Sequence, residues 1–294
     1  MFYRAKFQPG DKLDLIQKVE QLITGRAHLD RITVPGTNEM STQIWLSYWW
    51  PESHAKWWSS PVVKEFCDEL LADVGIWRGI LTATANRVEN ACTAELKNRM
   101  NGVGELEPFG DKIGYWGCVR HRIPDVNLGD KLASSLEEMP PRVPETTTIC
   151  FGRTTAINLL NNICFLVEGQ DHAGMSAELK ALWFEEFDAL VTGWMGYLAE
   201  YTTANGLFDV RMGHVSDYGT FKTGTPINLN HKRKIEMFCW QDMSKFERVG
   251  RIHRVHVKLR KRWIEIYGPG GEMRDSKGQN NSRRLLNRLQ LGSP

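Results

Sequence analysis

Cys239 closes the apolar string Ile235-Glu-Met-Phe-Cys-Trp240, which reads as a strand followed by a short turn and a helix opened by Ser244. A cysteine at a strand end is a soft ligand for a metal or a haem iron, and is equally a small buried hydrophobe. Arg120 and Arg122 stand close together in Gly114-Tyr-Trp-Gly-Cys-Val-Arg-His-Arg-Ile-Pro124. Read as a strand, that string carries both guanidinium groups to one side. His256 suits general acid work, because an imidazole titrates near neutrality, whereas His253 suits a helix C-terminus, where it complements the dipole. Glu168, just before Gly169-Gln-Asp171, offers a second acid or base, a counter-ion for an amine, or a solvated strand-end charge. His231, eight residues ahead of Cys239, rivals it as a metal ligand.

These residues need elements to hold them, and the chain carries the same layout twice. Ile44-Trp-Leu-Ser-Tyr-Trp-Trp-Pro-Glu-Ser-His-Ala-Lys56 also reads as strand, turn and Ser-initiated helix. Aligning Trp49 with Trp240 sets Ser53 on Ser244 and Tyr48 on Cys239, so only one half offers the soft ligand. The spacing of Leu13, Ile16, Val19 and Ile23 predicts a helix over 13–24, with Asp11 as its cap and Gly25 as its stop. Strands are expected over 32–34, 43–49 and 74–84, with a helix from Ser53 to Leu71. A glycine-rich loop over 98–111 precedes a strand over 113–119, and 125–145, with Pro140-Pro-Arg-Val-Pro144, is a second connection. Strands follow over 147–151 and 162–167, then one long helix over 175–201 with Leu179, Leu182, Trp183, Phe187, Leu190 and Trp194 on one face. The remainder reads as strand, strand, helix and strand over 208–216, 234–240, 244–253 and 256–267.

The fold class is α+β, two ferredoxin-like halves over 1–112 and 113–274 with a polar, basic tail over 275–294 anchored by Leu285, Leu286 and Leu289. Helices packed on one face of each sheet enclose an apolar space that suits a flat cofactor. Plain core packing accounts for most of the eleven tryptophans.

Composition narrows the function. A chain of 294 residues, 41% hydrophobic and 24% charged, buries a sizeable core. A net charge of +2 provides no long-range field for a polyanion, which argues against nucleic acid as a partner. The basic clusters His231-Lys-Arg-Lys234 and Lys258-Leu-Arg-Lys-Arg262 read as solvated strand ends, or as salt-bridge donors to propionates or an acidic substrate. Six widely spaced cysteines without a Cys-x-x-Cys pair signal neither a zinc site nor a disulfide scaffold. No signal-peptide core and no long apolar run is seen, so a cytoplasmic protein without a membrane partner is expected.

The Gly114–Pro124 string, Gly169-Gln-Asp171 and the strand, turn and helix ending in His253-Arg-Val-His256 resemble the haem-containing aldoxime dehydratases, over roughly residues 42–274. The resemblance implies a tandem α+β barrel around one haem b, and a lyase that removes water from an aldoxime to give a nitrile. It implies a small-molecule substrate with an N–O group and leaves a homodimer open. It sets the catalytic arginine on Arg120, the distal acid–base histidine in the His253/His256 pair and specifically on His256, and a pocket glutamate on Glu89. Two positions depart from the family pattern: Glu168 stands where a serine is expected and Cys239 where the proximal histidine is expected. A thiolate there would donate charge to iron and favour heterolysis on the far side, the basis for a second reading in which N–N bonds form or peroxide is used. A non-catalytic haem carrier is the third.

Overall fold

Apolar side chains three and four residues apart put one stripe on the first helix, α1 (Leu13–Ile23), which buries Val19 and Ile23; Gly25, at φ 71°, ends it in a conformation that few other residues adopt. The computed structural model describes residues 2–7, 13–36, 41–70, 76–92, 103–108, 115–124, 126–127, 129–130, 132–136, 161–172, 176–200, 205–215, 217, 219–220, 231–267 and 285–288. They fall into two compact units, one of Met1–Pro108, Thr147–Thr155 and Arg284–Pro294, the other of Phe109–Thr146 and Ala156–Arg283.

In the first unit β1 (Phe2–Phe7), β2 (His28–Pro35), β3 (Ser41–Tyr48) and β4 (Ile76–Gly79) run antiparallel in the order β4-β1-β3-β2. Val19, Ile23, Trp45, Trp57 and Val63 form its core. The single helix expected from Ser53 to Leu71 is instead two, α2 (Pro51–Trp58) and α3 (Pro61–Glu69). Pro61 has no N–H to continue the ladder, and its ring disfavours helical backbone at Ser60. Ser53 lies inside α2 and does not cap it; Pro51 takes the first helical position, where a missing N–H costs nothing.

The second unit opens with a 3-10 helix, Trp116–His121, where a strand was expected. Then follow β7 (Cys164–Asp171), α4 (Ala177–Glu186), α5 (Asp188–Glu200), β8 (Leu207–His214), β9 (Arg233–Trp240), α6 (Met243–Ile252) and α7 (Arg254–Tyr267). The strands pair antiparallel in the order β8-β9-β7. Trp183, Phe187, Trp194, Phe238, Trp240 and Trp263 pack together in the core of this unit.

The long helix expected over 175–201 breaks at Phe187, whose φ of −115° leaves the helical range, while Ser176 caps α4 by accepting from the Leu179 N–H. The last expected strand, over 256–267, is α7: its buried residues His256, Leu259, Trp263 and Ile266 recur at helical spacing, a period masked by a β-rich composition of Val, Ile, Trp and Tyr. Asp242, rather than Ser244, caps α6; its Oδ1 accepts from the Lys245 N–H at 2.9 Å and from the Ser244 hydroxyl at 2.7 Å.

The first unit is completed from the far end of the chain. β10 (Leu285–Arg288) lies between β5 (Asn90–Cys92) and β6 (Glu105–Pro108) in a three-stranded antiparallel sheet, with Leu286 opposite both Ala91 and Glu107. The expected strand over 147–151 and the Pro140–Pro144 run lie outside the described residues. Among the described residues no helix is long and apolar enough to cross a membrane.

Candidate active site

Strand alternation divides β9 into two faces. Lys234, Glu236, Phe238 and Trp240 point one way, and the last two join the helices in the core. Lys234 and Glu236 share that side and are 1% and 2% exposed, so two charged groups are taken out of water and must be compensated. The register sets Glu168 of β7 directly opposite Glu236, and Gln170 opposite Lys234. The Gln170 amide donates to Glu236 Oε1 at 3.4 Å, and Lys234 Nζ lies 3.6 Å from Asp188 Oδ1 at the start of α5. Glu168 is partly buried in mid-strand and is therefore not the solvated strand-end charge that was one of its readings.

Arg122, 2% exposed, donates to the Tyr115 carbonyl at 2.7 Å, and its charge acts on Glu168. The Tyr115 ring packs edge-on against Trp263, and its hydroxyl lies 3.1 Å from His256 Nε2. On the other side of the same imidazole, Nδ1 is 2.5 Å from the Gly250 carbonyl. A carbonyl only accepts, so Nδ1 carries the proton and Nε2 of the neutral ring accepts from the tyrosine. Glu236 thus faces Glu168, whose carboxyl feels the Arg122 charge, while Arg122 holds the Tyr115 backbone and the Tyr115 hydroxyl meets His256.

The electrostatics follow from that burial. Desolvation, then the like charge of Glu236, push the Glu168 carboxyl up to about 8 against the opposing pull of Arg122. Burial raises Glu236 to about 7 against Lys234. Desolvation is also the first cause lowering His256, so its imidazole is neutral. A neutral carboxylic acid and a neutral imidazole base in one unit can between them give and take a proton without net uptake.

The other expected residues lie elsewhere. Arg120 and Arg122 do not share a side, because the segment is a 3-10 helix, in which residues two apart are separated by about two thirds of a turn. Arg120 Nε pairs with Glu247 Oε1 at 2.7 Å, Nη1 donates to the Asp130 carbonyl, and the side chain lines an open groove of about 340 Å³ with Arg248 and Arg251. Arg120→Ala strands the Glu247 carboxylate with only the exposed Arg251 at 3.2 Å. A loss of about 1–3 kcal/mol in urea unfolding is expected, with catalysis spared if the arginine is structural.

Cys239 shares its face of β9 with Ile235 and Met237, opposite to Glu236, and sits across from Phe165 and Asp209. Burial, then Asp209, push its thiol up to about 11. His231, just ahead of β9, is buried and stacks on His214 with ring centroids 3.5 Å apart and planes within 4°. Among the described residues neither ring nitrogen of His231 has a hydrogen-bond partner, and burial lowers its affinity for a proton. His253 ends α6, where its backbone N–H donates to the Val249 carbonyl at 3.1 Å, and its ring stacks on Tyr197 at 3.6 Å. The position is a helix C-terminus, but burial lowers the proton affinity of the ring, which disfavours the charged form that would complement the dipole. Glu89 lies in the first unit, between the 3-10 turn Ala85–Arg87 and β5.

Glu236, Asp188 and Tyr115 went unnoticed in the sequence, whereas Arg122 was seen beside Arg120 and Lys234 within a basic cluster, each without its partner. Glu236 had a legible signal, a lone carboxylate in an otherwise apolar strand, but its partner needed the β7–β9 register.

The model of the haem-containing dehydratase family matches residues 3–279. The chain belongs to that family. Among curated members of the dehydratase group, the phenylacetaldoxime dehydratase of Bacillus sp. (strain OxB-1) is 29% identical over 171 residues, covering 55% of this chain and 47% of that one. The aliphatic aldoxime dehydratase of Rhodococcus globerulus is 24% identical over 243 residues, 80% of this chain and 65% of that one. The chain thus spans about half to two thirds of the length of these dehydratases. The crystal structure of the aldoxime dehydratase OxdRE in complex with butyraldoxime superposes with a TM-score of 0.66 at 16% identity, over 98% of this chain and 79% of that one. The fold is therefore the aldoxime dehydratase fold, an α+β architecture, and haem is the cofactor of the dehydratase family.

Proposed function

We propose that this chain is a haem-dependent lyase that dehydrates an aldoxime to a nitrile. The observation that carries the reading is a neutral carboxylic acid, Glu168, under the charge of Arg122, in the same unit as a buried Tyr115–His256 hydrogen bond, in a member of the haem-containing dehydratase family.

The residues fit a haem. His231 offers what an axial ligand needs, a buried neutral imidazole with its nitrogens unpartnered, and it is the residue that would hold the iron. Cys239 fits less well, since its thiol is held protonated and faces away from Glu236. Bound haem supplies an iron centre that polarises the oxime N–O bond.

Dehydration of R–CH=N–OH removes the carbon-bound proton, breaks the N–O bond and adds a proton to the departing hydroxyl, which leaves as water. Glu168, neutral at working pH, gives its proton to that oxygen. The Arg122 guanidinium stabilises both the oxygen as it departs and the carboxylate left behind. At the other end the carbon-bound proton passes to the Tyr115 oxygen while the tyrosine proton moves 3.1 Å to His256 Nε2. Return of the proton from imidazolium to carboxylate resets the site, so the cycle is proton-neutral.

The test is direct. Haem-loaded protein under reducing conditions is offered aliphatic and aryl aldoximes, and nitrile is measured by chromatography. Nitrile formation supports the reading; a normal Soret band with no nitrile from either class overturns it.

A further inference from the structure

We propose that Glu168 and Glu236 share a single proton across the β7–β9 ladder, with Glu236 the positioning residue that keeps Glu168 in its neutral, proton-donating form. This rests on the lyase reading for its purpose, but not for its test.

The geometry comes first. The two residues are directly opposed in an antiparallel register, which brings their Cβ atoms within roughly 5 Å of each other on one face. Two ionised carboxylates in that relation, one of them 2% exposed, repel with little water to screen them. Charge counting gives the same answer. The 3-10 segment contributes Arg122, β9 contributes Lys234 and α5 contributes Asp188, while β8 places only Met212 across from Glu236 and β7 adds the neutral Gln170. Two cations and one anion leave a surplus of one positive charge. A carboxyl pair with one proton cancels it, whereas a doubly ionised or doubly protonated pair leaves a buried net charge.

The surroundings also decide where the proton sits. Glu236 has the Gln170 amide at 3.4 Å and the Lys234 charge beside it, both of which favour the anion. Glu168 is desolvated and also faces that anion, and both favour its acid form. Two carboxyls sharing one proton titrate as a pair, so Glu168 remains an acid through neutral pH although a lone glutamate would have lost its proton. Glu236 thus acts through Glu168 and needs no contact with substrate.

The test is infrared spectroscopy of the haem-loaded chain without substrate, in light and heavy water. At neutral pH the wild type is expected to show one buried protonated carboxyl, identified by its isotope shift. That signal disappears in Glu236→Gln, because removing the anion lets Glu168 ionise beside Arg122, and disappears equally in Glu168→Gln. Glu236→Asp, which keeps the charge, retains it. Where nitrile formation is measurable, its alkaline limb in Glu236→Gln moves to lower pH by about one unit or more, since the acid now loses its proton earlier. Absence of the signal in wild type, or its survival in either glutamine variant, overturns the proposal. Should Glu236→Gln fail to fold, the wild type decides by titration: a protonated-carboxyl signal lost in two well-separated steps as pH rises supports the shared proton, and loss in a single step refutes it. Loss of the signal in both glutamine variants without any nitrile from wild type sinks the lyase reading and leaves the shared proton standing.

Discussion

His231→Ala is expected to abolish haem binding: the purified variant, supplemented with haem, shows no Soret band, while Cys239→Ala under the same conditions retains the wild-type spectrum. An alanine leaves no donor atom at the position where a buried imidazole has, among the described residues, both nitrogens without a hydrogen bond. Such nitrogens cost free energy, about 1–3 kcal/mol for each group left unsatisfied, and coordination offsets the cost of one. His214 is no substitute, because its ring lies parallel to and 3.5 Å from the His231 ring and so acts as a stacking surface that fixes its plane. The ferrous carbonyl spectrum provides an independent check. Imidazole ligation gives an ordinary band; a strong red shift would mark a thiolate and return the ligand to Cys239.

The second large effect is on turnover. Glu168→Gln, with haem content unchanged, is expected to lower kcat by about 10²–10⁴, the usual worth of a positioned acid, with a small change in KM. Glutamine preserves shape and hydrogen bonding but has no proton to give. The pH profile distinguishes this from a structural defect. In the wild type, activity falls as pH rises through the Glu168 value of about 8, because the acid form is the one that works. In the variant, whatever activity remains lacks that limb. Wild-type kcat in Glu168→Gln would remove the residue from the mechanism.

The α+β class was legible because alternation at residues 43–49 and 234–240 and the stripe on α1 each follow a single clear period. The duplicated strand–turn–helix layout is present too, as β3 with α2 and β9 with α6. What failed was period where composition pulled the other way. Residues 254–267 carry β-favouring side chains on a helical repeat, and the string holding Arg120 and Arg122 is too short for a period to form. That last error propagated into the site. Read as a strand, both arginines faced one way and the choice between them rested on resemblance; the 3-10 turn sends Arg120 to Glu247 and Arg122 to the Tyr115 carbonyl. The Glu168–Glu236 opposition was not readable at all, because nothing local to either residue fixes which strand neighbours which. His256 was singled out in the sequence as an acid–base candidate; its Tyr115 and Gly250 partners come from tertiary packing and had no local signal.

The placement of β10 bears on how the protein is made. A ribosome releases residues 90–108 long before 285–288 exist, so β5 and β6 emerge without the strand that belongs between them. Their unpaired edges must wait, exposed to chaperones or stray chains, until residues 285–288 have emerged. Nascent chains stalled before residue 285 should accordingly be cut by protease in that region, and full-length chains should resist.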